Sequence, residues 1–310
     1  MIKTIISESL PVYEKLLVRK KIISGATGNK RVCIVTGTHG DELEGQYVCY
    51  ELNRLLQENI DNLKGSVEIY PALNPLGVDS VKRGFPAFDL DMNRIFPGDS
   101  HGHLIEYMAS RIMDDLVGAD MVIDIHSSNI FLREMPQVRV NVDMAPVLVP
   151  YARLLNTDFI WVHDAATVLE ATLAHSLNVL NTKTLVVEMG VGMRITREYG
   201  DRLVTGIFNL LSNLGMWDGE VPDSIVNPML STDGEVHFLN AEASGVIIPA
   251  VSHSMCVLKG DLLCQIVDPL QGTVLHNVVS PVDGVVFTLR SYPIVYEGSL
   301  IARIFSQKKE

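Results

Sequence analysis

In RVCIVTGTHGDELEGQYVCYELNRLLQEN (residues 31–59) an apolar run, RVCIVTG, stops at a short polar turn and is followed by apolar residues at helical spacing. A continuous apolar run bounded by glycine predicts a buried strand, and the 3.6-residue period behind it predicts a helix. The alternation recurs downstream. SVEIYPAL (66–73), DMVIDIH (120–126), DFIWVH (158–163) and TLVVEMG (184–190) predict further strands, while 103–118 and 195–215 carry the helical period. Strands alternating with helices predict an α/β fold, with a mixed, largely parallel sheet flanked by helices. Ligands of such sheets bind beyond the carboxyl ends of the strands, so what each apolar run ends on matters most.

Beyond Asn227-Pro228 the texture changes. Residues 240–305 hold short β-rich runs between ASG, KGD, PVDG and YEG turns, with no helical period. Two units are predicted: a catalytic domain over 1–225 and a small all-β domain over 226–310. Within the second, ASGVIIPAVSHSMCVLKGDLLCQIVD is echoed by PVDGVVFTLRSYPIVYEGSLIARI, a pattern that resembles a lipoyl/biotinyl-like barrel. The hairpin between the halves, IVDPLQG (266–272), lacks the lysine that such carriers modify. A structural lid or an oligomerisation surface is therefore expected rather than a swinging arm.

The formal charge of −12 disfavours nucleic acid as a partner, because phosphate contacts need a basic face. No apolar run approaches the roughly 20 residues of a membrane span, and MIKTIISESLPVYEKL does not read as a signal peptide. The four cysteines are scattered without metal-ligand spacing, as buried reduced thiols would be. A cytoplasmic location is expected. The mean hydropathy of +0.21 and the added β unit lean toward a homo-oligomer.

The strand ends carry the chemistry. RVCIVTG runs into THGDELEG, where His39 and Glu42 stand three positions apart in a turn opening the next helix. Gly37 and Gly40 bracket the histidine, as a turn requiring close backbone approach would demand. DMVIDIH ends on His126, with Asp124 on the same face of the strand and placed to support it. His39, Glu42 and His126 together would make a three-ligand zinc site with a position left open for water. TLVVEMG ends its run on Glu188, costly to bury without a partner and suited to general-base work beside such a water. In NPLGVDSVKRGFPAFDLDMNRIFPG (74–98), Arg83 and Arg94 are candidates to bind a substrate carboxylate or an oxyanion, with Asn93 as a second donor.

THGDELEG, NP…R…DMNRIFPG, DIH and VEMG, in this order, resemble the succinylglutamate desuccinylase/aspartoacylase family, which is related to the zinc carboxypeptidases. The resemblance covers about residues 30 to 215. It implies a zinc-carboxypeptidase-like fold, one Zn2+ per chain held by His39, Glu42 and His126, and Glu188 as the base that later protonates the leaving amine. It implies that Asn93 and Arg94 grip the carboxylate of a small N-acyl amino acid-like substrate, and that Arg83 polarises the scissile carbonyl. The spacing from Arg83 to Asn93 is longer than in aspartoacylases. Asp41 stands where desuccinylases and aspartoacylases usually have Asn, and HGDE is more similar to the branch that includes N-acetyl-diaminobutyrate deacetylases. Arg194, just past Glu188, is a candidate for a second substrate charge. The expected activity is zinc-dependent deacylation of a linear amide. The alternatives are a carboxypeptidase acting on short peptides and a non-catalytic zinc- or ligand-binding relative.

Overall fold

The computed structural model describes residues 1–164, 170–221, 226–232 and 235–306. Strands β1 (Ile2–Ser9) and β2 (Lys15–Ser24) form an N-terminal hairpin and lead into β3 (Thr27–Thr36). Then follow α1 (Glu44–Glu58), β4 (Lys64–Tyr70), α2 (Pro75–Ser80), α3 (Leu104–Leu116), β5 (Met121–His126) and β6 (Leu132–Asn141). The next elements are α4 (Ala145–Ala152), β7 (Phe159–His163), α5 (Leu173–Val179), β8 (Thr184–Gly190) and α6 (Arg197–Asn213). Every helix and strand predicted over 31–215 is present, with ends shifted by a few residues.

Among the described residues a 13-stranded sheet runs β1-β2-β4-β3-β5-β8-β6 and continues into strands from the C-terminal part. Its centre, β4-β3-β5-β8, is parallel, and β5 is buried along its whole length as a central strand must be. The expectation of a largely parallel sheet holds for this centre, and parallel pairing recurs where β7 joins β6. β1, β2, β6 and the C-terminal strands add antiparallel pairs on both sides. The sheet is therefore mixed, with the parallel strands ending where the candidate residues lie.

Helices cover both faces. On one, Val48, Cys49, Leu52 and Leu56 of α1 join Leu203, Ile207 and Leu211 of α6 against the sheet. On the other, Ile105, Met108, Ile112 and Leu116 of α3 pack with Leu173 and Leu177 of α5. Each fully buried leucine or isoleucine contributes about 1.5–3 kcal/mol of transfer free energy, which anchors the strand ends from both sides.

From residue 229 on, all described elements are strands: β9 (Met229–Thr232), β10 (Val236–Asn240), β11 (Gly245–Pro249), β12 (Cys256–Val257), β13 (Leu262–Asp268), β14 (Thr273–Val279), β15 (Gly284–Arg290), β16 (Ile294–Val295) and β17 (Leu300–Phe305). β14-β13-β11-β16 form a separate four-stranded sheet that shares one apolar cluster with β12, β15 and β17. β15, β17 and β10 instead extend the main sheet, because β15 pairs antiparallel with β6, Thr288 opposite Glu134. Among the described residues no helix is long and apolar enough to cross a membrane.

Candidate metal centre and active site

The turn after β3 is shaped by contact with a neighbouring loop. Gly37 has φ +66, and a side chain there would meet Pro71 O at 2.8 Å; one at Gly40 would come within 1.9 Å of Gly77 C. Both glycines meet the demand for close approach, and they hold His39, 3% exposed, over the carboxyl end of the sheet.

His39 Nδ1 lies 2.9 Å from Glu42 Oε1, and His126 Nδ1 lies 2.9 Å from Glu42 Oε2. The rings are 5.1 Å apart, centroid to centroid. One ligand atom from each of His39, Glu42 and His126 falls within 4.8 Å of the others, and all three residues are buried. The far nitrogens have acidic neighbours: His39 Nε2 is 2.9 Å from Asp91 Oδ1, and His126 Nε2 is 3.1 Å from Asp124 Oδ2. Carboxylates behind metal-ligating histidines orient the rings and raise their basicity.

Burial opposes charge on all three, yet their mutual proximity outweighs it. Burial would raise the Glu42 carboxyl, but His39 and His126 hold it well below the usual carboxylate range. Burial would lower His126, but Asp124 and Glu42 drive it well above an ordinary histidine; His39 rises likewise against its burial, beside Glu42 and Asp91. Two buried imidazoles converging on one carboxylate call for positive charge between them. His39 Nδ1 is buried without a hydrogen-bond partner, since its approach to Glu42 lacks hydrogen-bond geometry. A divalent cation fits there: two imidazole nitrogens and a carboxylate are a donor set that zinc accepts.

Glu188 stands beside His126 because β5 and β8 pair in parallel with these two residues in register. It is 8% exposed. Its Oε2 accepts from Ser128 N at 2.7 Å, and its Oε1 lies 3.2 Å from Arg139 Nη1. Ser128 has φ +60, a left-handed conformation that costs a serine strain and aims its N–H at Glu188.

A cavity of about 360 Å³ is lined by His39, Glu42, Arg83, Asn93, Arg94, His126 and Glu188, among others. Arg83 donates to Glu42 Oε1 at 2.8 Å and to Ser128 O at 3.0 Å. Asn93 Oδ1 accepts from Leu173 N, which ties the 74–98 loop to the start of α5, and exposed Arg94 donates to Asn93 O. Arg194 stands apart from this group. The turn after β8, with Gly190 at φ +70 and Met193 at φ +59, carries it to the exposed surface, where it donates to Met193 O. It does not line the cavity.

Asp91, Ser128, Glu134 and Arg139 escape the sequence reading. Asp91 has a local signal, an acid two positions before Asn93, whose N–H it accepts. Arg139 sits in LREMPQVRVN, where Pro136 argues against a strand. Pro136 falls at the register shift between Glu134 and Gln137, where β6 tolerates it.

Residues 28–214 match the family described as "Succinylglutamate desuccinylase/Aspartoacylase catalytic domain". Over 289 residues the chain is 26% identical to the N-alpha-acetyl-L-2,4-diaminobutyric acid deacetylase of Halomonas elongata, covering 86% of this chain and 80% of that protein. Among solved structures, the product-bound ectoine utilization protein of Ruegeria pomeroyi superposes with a TM-score of 0.83 at 21% identity, covering 97% of this chain and 93% of the other. A succinylglutamate desuccinylase from a Silicibacter species gives 0.84 at 20% identity, covering 97% and 92%. The four strand-end and loop motifs all lie inside the matched span, and the chain belongs to the succinylglutamate desuccinylase/aspartoacylase family.

Proposed function

We propose that this protein is a zinc-dependent amidohydrolase that removes the acyl group from a small N-acylated amino acid. The observation that carries the reading is the buried His39–Glu42–His126 cluster, with its orphaned His39 Nδ1, sharing one cavity with Glu188. Homology to a diaminobutyric acid deacetylase supports the reaction class.

One zinc ion per chain, held by those three residues, supplies the Lewis acidity that makes water nucleophilic near neutral pH and polarises a carbonyl. Glu188 takes a proton from the attacking water as the new C–O bond forms. It delivers that proton to the amine nitrogen as the C–N bond breaks, leaving a carboxylate and an amine. Arg83 faces the oxygen that gains charge, and Asn93 with Arg94 holds the carboxylate of the amino-acid portion. The cavity volume suits a substrate of amino-acid size.

Amine release is measured on a panel headed by N-acetyl-2,4-diaminobutyrate, with other N-acetyl, N-succinyl and N-formyl amino acids and short peptides. Chelated and zinc-restored protein are compared. Zinc-restored release from one acylated class is expected. Activity confined to peptides would make the protein a carboxypeptidase instead, and a bound metal with no turnover on any substrate would make it a binding protein. Glu188→Gln is expected to lower kcat by at least about 100-fold while metal content stays unchanged; wild-type turnover in that variant would remove Glu188 from the mechanism.

A further inference from the structure

Glu134 on β6 has none of its surface exposed, where an unpaired carboxylate would be very costly. Its Oε1 accepts from Ser128 Oγ at 3.2 Å, Arg139 Nη2 at 3.2 Å and Arg303 Nη1 at 2.9 Å. Its Oε2 accepts from Gln137 Nε2 at 2.8 Å and from Thr288 Oγ1. Thr288 belongs to β15 and Arg303 to β17, so two of these donors come from beyond residue 226.

Arg139 turns its other amino group to Glu188, with Nη1 3.2 Å from Oε1. Arg303, Glu134, Arg139 and Glu188 thus form a row of alternating charge. Both guanidiniums lie over the Trp161 ring, at 5.6 Å for Arg139 and 5.5 Å for Arg303. Both also reach the wall of the cavity lined by His39, Glu42 and His126. Their charges are matched by Glu134 and Glu188. A planar guanidinium fork donates to two carboxylates at once and fixes the angle between them more rigidly than a lysine ammonium does.

We propose that Arg139 is the positioning residue for Glu188, clamped through Glu134 by Arg303 and Thr288, so that the C-terminal strands are a working part of the active site. The inference rests on the reading of Glu188 as the proton carrier. Ser128 closes the arrangement: its N–H holds the second oxygen of Glu188, and its hydroxyl returns to Glu134.

The test compares the full-length zinc-loaded wild type with Arg139→Met, Arg139→Lys, Arg303→Met and Thr288→Val, using N-acetyl-2,4-diaminobutyrate as probe. Melting temperatures and crystal structures accompany the kinetics. Arg139→Met is expected to lower kcat by about 10- to 100-fold with KM within about twofold, the signature of a lost orienting contact. Arg139→Lys should recover part of that loss. Arg303→Met and Thr288→Val should lower kcat by smaller factors at unchanged KM; if Arg303→Met does not fold, Thr288→Val carries that arm. In crystals of Arg139→Met the Glu188 carboxylate should leave its wild-type position, a readout independent of turnover. A rise in KM at constant kcat, or an unmoved Glu188, would overturn the positioning role. Full kcat in both C-terminal variants would overturn the part assigned to those strands. Failure of the underlying mechanism shows separately, as normal turnover by Glu188→Gln.

Discussion

Cys49, on the inner face of α1, shows how burial alone sets a residue's chemistry. Burial pushes its thiol from 9.0 up to about 12, with no charged neighbour involved. A raised folded pKa means that the unfolded chain loses this proton first as pH rises. The contribution to stability is therefore whole below about pH 9 and is lost progressively up to about pH 12. Cys49→Ala should be less stable than wild type at pH 8, through the lost packing, and the gap in melting temperature should narrow steadily between pH 9 and 11. A constant gap would mean that the thiol titrates normally. The same contrast between local and remote causes separates what the sequence discloses about the site from what it hides. His126 and Glu188 each end an apolar run, where a polar side chain announces itself. Asp91 and Arg139 enter the candidate site only because they meet His39 and Glu188, partners 52 and 49 positions away in the chain. No local pattern encodes such a meeting.

Between β3 and α1, the turn holding His39 and Glu42 is an element in its own right. The backbone of Gly77, at the start of α2, passes so close to Gly40 that a methyl group there would overlap it. Gly40→Ala must push the two backbones apart, at about 1–3 kcal/mol for an overpacked site. A lower urea midpoint is expected, together with weaker zinc retention on dialysis, because the displaced turn carries two of the three proposed ligands. Unchanged metal content would show that the turn has more slack than its contacts allow. The five strands and three helices predicted over 31–215 were legible because each keeps one period from end to end. The N-terminal hairpin, β6 and the short helices α2, α4 and α5 were not. β6 mixes buried Glu134 and Gln137 and half-buried Arg139 with apolar residues and interrupts them with Pro136, so neither period survives in its sequence.

For the whole molecule, the proposed metal held by the buried histidines and Glu42 would be a stabilising ligand as well as a reagent. A ligand bound only by the folded state adds about 4 kcal/mol at a thousandfold excess over its Kd. Chelation should therefore lower the melting temperature, and restoring zinc should recover it; equal values with and without metal would argue that the site is not filled. We propose that the chain divides near residue 225, at the edge of the undescribed residues 222–225, into a part holding the ligands and a part that braces them. The pairing of β15 with β6 binds the two parts into one sheet, which the change in sequence texture does not disclose. One register has a wider consequence. His126 and Glu188 sit opposite each other on adjacent parallel strands, so about 4.8 Å of sheet spacing serves as the ruler between the proposed ligand and the proposed base. Slipping that register by one residue would flip a side chain to the other face, and slipping it by two would carry it several ångströms along the strand. This separation can change only in coarse steps. Relatives that acquire new substrates can leave the ruler untouched and vary the loops and far walls of the cavity, where adjustment is continuous.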